Sequence, residues 1–286
     1  MSAPIDVGVV DLMVALPTGG DTWRDELAPL LKDPGSASFA HPASYLYRNL
    51  PAARFAEDPV RAVLDEMDRF GVERALVGVD VDHPASVRAT RAHPDRFLPS
   101  VEVDPSAGVE AVRRLRAAVE GVGARAATAF TAGVFPQVAL DEPAWFPLYA
   151  ACVDLAVPLF VTVGIPGPRV PGAPQAVLAL DTVCFEFPDL VVVMRHGAEP
   201  WAELAVKLML KWPGLHYSTS AFAPRYYPRA VVDYANTRGV DKVCFAGYFP
   251  MGLSYETIFE QLPAVPFREH VWPQFLRTNA LRLLGV

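Results

Sequence analysis

Eight short apolar runs rich in β-branched residues punctuate this sequence, and longer segments with the apolar period of a helix lie between them. The runs are Val7 to Leu12, Arg74 to Val79, Phe97 to Val103, Ala124 to Phe130, Pro158 to Val163, Leu190 to Arg195, Leu215 to Thr219 and Lys242 to Ala246. Between the first two, Pro59 to Phe70 brings Val60, Val63, Leu64 and Met67 to one face, and Val109 to Glu120 has the same character. Runs apolar throughout suit parallel strands buried on both faces, with helices packed outside. Eight βα units predict an α/β fold of the closed (β/α)8 TIM-barrel type. An open doubly wound sheet is the alternative. Against it, the turn after the first run holds no GxGxxG, which a dinucleotide at a switch point would call for.

The 286 residues, 52% of them hydrophobic, are enough for one large core, and we read residues 1–286 as a single domain. Residues 17–58 break the repeat. They are rich in Pro, Gly, Ser and aromatics, have no period, and are long for a βα loop. Loops after barrel strands build the active face, so this insertion is expected to form a lid or pocket wall, or else a subunit contact in a homo-oligomer. Residues 264–286 are expected to be a helical tail packed back on the barrel.

A net charge of -7 without clustered Lys and Arg argues against a nucleic-acid partner. No stretch approaches the roughly 18 apolar residues of a bilayer span, and the first residues lack the pattern of an export signal, so a cytoplasmic protein is expected. Cys152, Cys184 and Cys244 are odd in number, far apart and set among apolar neighbours. They read as core residues of a reducing compartment, not as a disulfide or a metal site.

Several strand ends together resemble a known family. FPDLVVVMRHGAEPW is similar to the sixth-strand segment of the amidohydrolase-related (β/α)8-barrel hydrolases and decarboxylases, which reads FPDL, an apolar strand, then HGGxPW. DKVCFAGYFP resembles that family's eighth-strand DKVLFGSDYP, and FLRTNALRLLGV its closing NAxRL helix. With VVDLMVALP at the start and PLFVTVGIPG as the fifth strand, the likeness spans nearly the whole chain.

That resemblance implies a catalytic metal held by HxH after the first strand, a His ending the fifth, often a His on the sixth, and an Asp on the eighth. Here those places hold Met13 and Ala15, Thr162, His196 and Tyr248. Zinc needs three or four nitrogen, oxygen or sulfur donors of suitable kind, and one imidazole among Met, Ala, Thr and Tyr does not provide them. His41 in the insertion, His93 before Pro94 and His270 in the tail do not rebuild the set. The expectation is therefore no metal and no other cofactor.

Metal-free chemistry then falls to three candidates at strand ends. His196 has the ordinary pKa range for proton transfer, with Glu199 three residues on to orient its ring; the bland alternative is a scaffold histidine. Asp11, at the Asp of the family's DxHxH, is a carboxylate among Val, Leu and Met. It is either a general acid or base or a tie for backbone N–H groups. Tyr248 offers a phenol to an oxygen on which charge develops, or is an aromatic wall. For binding, Arg195, Arg169 and Arg225 are candidate grips for an anion. Met13 and Thr162 are candidate floor residues. In HYSTSAFAP, Tyr217 and Thr219 point one way and His216, Ser218 and Ser220 the other, so Tyr217 and Ser220 are both candidates until the facing set is known. Trp23, Tyr45, Tyr47, Phe130, Phe135, Phe222, Tyr226, Tyr227 and Phe249 lie mostly in loops after strands, favouring a bulky, partly apolar, anionic small molecule.

Three readings are open at this level. One is a metal-independent enzyme using His196, Asp11 and Tyr248 on an anionic carbonyl compound, of lyase, hydratase, hydrolase or isomerase type. Another is a ligand-binding or partner protein that keeps the barrel without catalysis. A metal-dependent hydrolase or decarboxylase with atypical ligands is the third.

Overall fold

The computed structural model describes residues 7–18, 27–39, 41–43, 45–47 and 49–286, and its eight parallel strands form one sheet in sequential order. They are β1 (Val9–Val14), β2 (Val72–Val79), β3 (Phe97–Glu102), β4 (Ala126–Ala129), β5 (Leu159–Thr162), β6 (Val192–Arg195), β7 (Leu215–Ser218) and β8 (Val243–Cys244). The last edge meets the first: Leu12 N–H donates to Phe245 O at 3.2 Å, Ala15 N–H donates to Phe249 O at 2.9 Å, and Val14 bridges Phe249. This is a (β/α)8 TIM barrel.

Alternation along each strand divides the core in two. Val10, Leu12, Leu76, Leu98, Ala126, Phe160, Val193 and Cys244 fill the barrel interior, each nearly or fully buried. Residues such as Met67, Leu115, Val161, Met194 and Tyr217 belong to the larger layer between strands and helices. Each large side chain so buried contributes about 2–3 kcal/mol. The helix Pro59–Arg69 shows how local signals serve this packing. Asp58 caps it by accepting from Arg61 N–H at 3.0 Å, Pro59 starts it, and Val63, Leu64 and Met67 are its buried face. At the far end of the barrel, Ala280 and Leu284 of the helix Asn279–Leu284 join the inner cluster, and Asn279 Nδ2 donates to Val240 O and Val243 O.

Strand β1 is irregular at the end that points to the barrel mouth. Asp11 is registered with Ala75 but Val14 with Val77, so β1 spends three residues where β2 spends two. Such a bulge re-aims the residues within and beyond it. Met13 thereby packs against the inner cluster alongside Leu12.

Trp23 lies outside the described residues. The three cysteines are buried and unpaired, and burial pushes the thiols of Cys152 and Cys184 up to about 12 and about 11. Among the described residues no helix is long and apolar enough to cross a membrane.

Candidate active site

Continuing the inward phase of each strand toward its C-terminal end brings the polar candidates together. Arg195 lies two residues beyond Val193, Thr162 two beyond Phe160, and Glu102 four beyond Leu98, and Thr162 is registered directly with Arg195. These three line a cavity of about 1140 Å³ at the barrel mouth with Met13, Ala15, His196 and Tyr248. The insertion supplies much of the outer wall through His41, Tyr45, Tyr47, Arg54 and Phe55. Among the described residues the charged side chains of the lining are Arg54, Arg195 and Arg225 against Glu102, a positive balance inside a protein of net charge -7. Such a mouth favours an anion.

Sharp backbone turns deliver His196 and Tyr248. Both are non-glycine residues in the left-handed region, at φ 62° and 60°. Each costs about 1–2 kcal/mol, and strain of this kind collects at functional sites. Ser220 fixes the first turn: its Oγ accepts from His196 N–H and stands 3.1 Å from the ring Nδ1. Tyr217 supports the same turn from the outer side, donating to Gly197 O at 3.0 Å. Just beyond β7, therefore, Ser220 reaches His196, while Tyr217 on the strand belongs to the layer behind the site. His216 is registered with the inward Val193, which settles the facing set as His216, Ser218 and Ser220.

The His196 and Tyr248 rings meet edge to face, 5.2 Å between centroids and 83° apart. Burial and the neighbouring Arg195 cation pull the imidazole down to about 3, opposed by a hydrogen bond to the Ser220 backbone. His196 is therefore neutral at physiological pH. Burial raises the Tyr248 phenol against the lowering influence of Arg195 and Arg54, so it stays protonated and able to donate. Tyr47 packs on Tyr248 at 5.5 Å and is itself anchored by its O–H to Ala221 O at 2.7 Å.

Asp11 sits elsewhere. It is fully buried, and its carboxylate faces the helix layer: Oδ1 accepts from Met13 N–H at 2.9 Å and Gly247 N–H at 2.8 Å, and Oδ2 accepts from Tyr255 O–H at 2.9 Å. A Cβ at position 247 would lie 2.5 Å from Oδ2, so glycine is required there. Asp11 thus straps β1 to the end of β8, and it does not line the cavity. Burial raises its pKa to about 7 against those three hydrogen bonds.

Of the remaining candidates, Arg225 lines the mouth with its guanidinium 4.6 Å above the Tyr226 ring. Arg169 instead pairs with Asp33 at 2.8 Å and covers Phe39 and Tyr45, tying the insertion to the loop after β5. Glu199 lies outside the lining, and its backbone carbonyl accepts from Ile165 N–H at 2.8 Å. Phe249 and Tyr227 pack on Tyr255 and Phe275 in the core, whereas Tyr45, Tyr47, Phe130, Phe222 and Tyr226 face the cavity. The sequence reading missed Glu102, Arg54 and His41. Glu102 was discoverable, as a carboxylate ending an apolar strand at the barrel's active face; Arg54 and His41 sit in a segment without periodicity.

The positions that the family resemblance assigns to metal ligands do converge here, but their chemistry does not fit a divalent cation. They present a thioether, a methyl, a hydroxyl, a phenol and a single imidazole, that of His196, and the Arg195 guanidinium stands among them with Nη2 3.0 Å from Met13 Sδ. A fixed positive charge repels a metal ion, and Ala15 offers it nothing. Among the described residues no three His, Cys, Asp or Glu side chains are grouped to hold an ion.

The same barrel occurs in proteins of known structure. An uncharacterised TIM-barrel protein from Bordetella bronchiseptica superposes with a TM-score of 0.78 at 21% identity, over 98% of this chain and 99% of that one. A 5-carboxyvanillate decarboxylase from Novosphingobium aromaticivorans, complexed with manganese and 4-hydroxy-3-methoxy-5-nitrobenzoic acid, gives 0.70 at 15% identity over 100% and 98%. A 4-oxalomesaconate hydratase from Rhodopseudomonas palustris gives 0.61 at 17% over 97% and 95%. No curated protein matches the sequence. The amidohydrolase family profile matches residues 31–286, starting after β1. This chain is a member of the amidohydrolase family.

Proposed function

We propose that this protein is an enzyme that works next to the carbonyl of a small to medium anionic, partly apolar compound, using its own acid–base groups and no catalytic metal. The reaction is of lyase or hydratase type, with isomerisation or hydrolysis as neighbouring chemistries. The observation that carries this reading is the meeting of a neutral imidazole, a protonated phenol and a guanidinium on one cavity floor. The similar solved structures include a decarboxylase and a hydratase whose compounds are carboxylates, which supports the same class of substrate.

In this scheme Arg195 receives the anionic group and Tyr248 O–H donates to the oxygen on which charge develops. His196, with its proton on Nδ1 and donated to Ser220 Oγ, uses Nε2 to accept a proton from the carbon beside the carbonyl. The C–H bond breaks, its electron pair forms a C=C bond to the carbonyl carbon, and the carbonyl π pair moves onto the oxygen held by Tyr248. An anion beside Arg195 cancels the repulsion that weakens the imidazole, so the base strengthens when substrate is bound. Asp11 acts through position, holding the backbone on either side of the site. The chain is further proposed to work as a homo-oligomer, which light scattering on the purified protein would check.

The test is turnover in a screen of aromatic and unsaturated carboxylates, measured for wild type, His196→Ala and Tyr248→Phe. Each variant should lose about 10²–10⁴-fold in rate while melting within a few degrees of wild type. The free-enzyme profile of kcat/KM should show no acid limb near 6.5, because His196 stays neutral down to about 3. Unchanged rates in His196→Ala would remove its role, and saturable binding without any product would favour the ligand-binding reading.

A further inference from the structure

The Arg195 guanidinium is poorly satisfied for a charge in so enclosed a place. Its Nη2 donates to Met13 Sδ, a weak acceptor, and Nε is enclosed with no partner among the described residues. The Glu102 carboxylate shares the cavity wall and helps to hold the charge. Buried cations are retained when their donors are met by anionic acceptors, and a thioether is not one. Thr162 stands beside Arg195 in register, and Tyr248 lines the same floor, so hydroxyl donors flank the guanidinium. An acceptor with two oxygens seated between them would meet the cavity-facing part of the guanidinium and those hydroxyls together.

We infer that Arg195 has taken the place of a divalent cation in this barrel: seated against Met13, it is a fixed organic cation that receives the carboxylate of an aromatic acid. The fork of a guanidinium matches a carboxylate in two parallel hydrogen bonds. Tyr47, Phe130, Phe222 and Tyr248 supply flat apolar walls for the ring. The exchange also explains the β1 residues. The bulge swings Met13 onto the guanidinium, where an uncharged, polarizable side chain is tolerated, and Ala15 leaves the floor open. The inference rests on the anionic-ligand half of the proposed function and not on turnover.

The experiment is calorimetric titration of the full-length, chelator-treated protein with benzoate and, separately, benzamide, in wild type, Arg195→Met and Arg195→Lys. Wild type should bind one benzoate per chain and benzamide at least about tenfold more weakly. Arg195→Met should lose at least about tenfold in benzoate affinity, and Arg195→Lys should keep part of it, since lysine retains the charge without the fork. The lysine variant carries the test if the methionine variant does not fold. Three results overturn the inference: no saturable benzoate binding by wild type, benzoate binding unchanged in both variants, or binding lost on chelation and restored by zinc or manganese. Arg195-dependent binding in a protein that turns nothing over leaves this inference standing and removes the enzymatic reading.

Discussion

Asp11, fully buried, and Arg195, partly buried, are charged residues near the mouth of one barrel, and their surroundings are opposite. Asp11, facing the helix layer, accepts from two backbone N–H groups and a phenol. Arg195, facing the axis, has a thioether contact and an enclosed Nε without a partner among the described residues. A buried polar group that the fold satisfies holds the fold together. One that the fold leaves wanting is held for something that comes from outside. By this criterion the carboxylate that looked catalytic is a strap, and Arg195, read as one of three candidate grips for an anion, is the one we propose as the centre of the site.

The comparison is most easily broken by substitution on each side. Asp11→Ala leaves two buried N–H groups and the Tyr255 hydroxyl without their acceptor and should cost about 3–5 kcal/mol, read from denaturant midpoints. A cost below about 1 kcal/mol would show that the strap carries no load. Arg195→Met should go the other way. Replacing an incompletely satisfied, partly buried cation by an apolar chain is expected to be neutral or stabilising by about 1–2 kcal/mol while binding is lost. Marked destabilisation would mean that the fold, not a ligand, is what needs the charge.

Acidity sharpens the Asp11 side further. Its pKa is raised from 3.8 to about 7 in the folded protein, so the folded state holds the proton more tightly than the unfolded chain. The associated stability is fully present below about pH 4 and is lost as pH rises through about 7. Asp11→Asn, which keeps an acceptor and carries no charge, should therefore gain on wild type as pH is raised from about 5 to 8. Parallel stability curves for the two proteins would contradict this. The smallest effect is expected for Ser220→Ala, which removes the partner of His196 Nδ1 and should lower turnover by about tenfold or less, with KM little changed.

These contrasts mark where the sequence was legible. Every strand was read as an apolar run to within a few residues, because burial on both faces leaves a compositional trace. Met13, Thr162, His196 and Tyr248 were singled out through the family resemblance, Arg195 as the neighbour of His196 at a strand end, and all five line the cavity because strand ends of a barrel converge. Asp11 misled for a definite reason: simple alternation puts residues 11, 13 and 15 on one face, and the bulge after Asp11 breaks that alternation. A one-residue bulge depends on the pairing with β2 and has no signature in β1 alone. Arg54 and His41 reach the cavity through the insertion, whose path follows tertiary contacts such as Arg169 with Asp33 and Tyr45 O–H with Gly167 O.

The most direct measurement is a crystal structure of the wild-type protein with 4-bromobenzoate, in which the anomalous signal of bromine locates the ring. The expected result is the ring between the aromatic walls of the mouth, with its carboxylate about 3 Å from the Arg195 guanidinium and the Tyr248 hydroxyl on one of its oxygens. A carboxylate bound away from Arg195, or a metal ion seated between Met13 and Tyr248 with the carboxylate on it, would contradict the central role of that arginine.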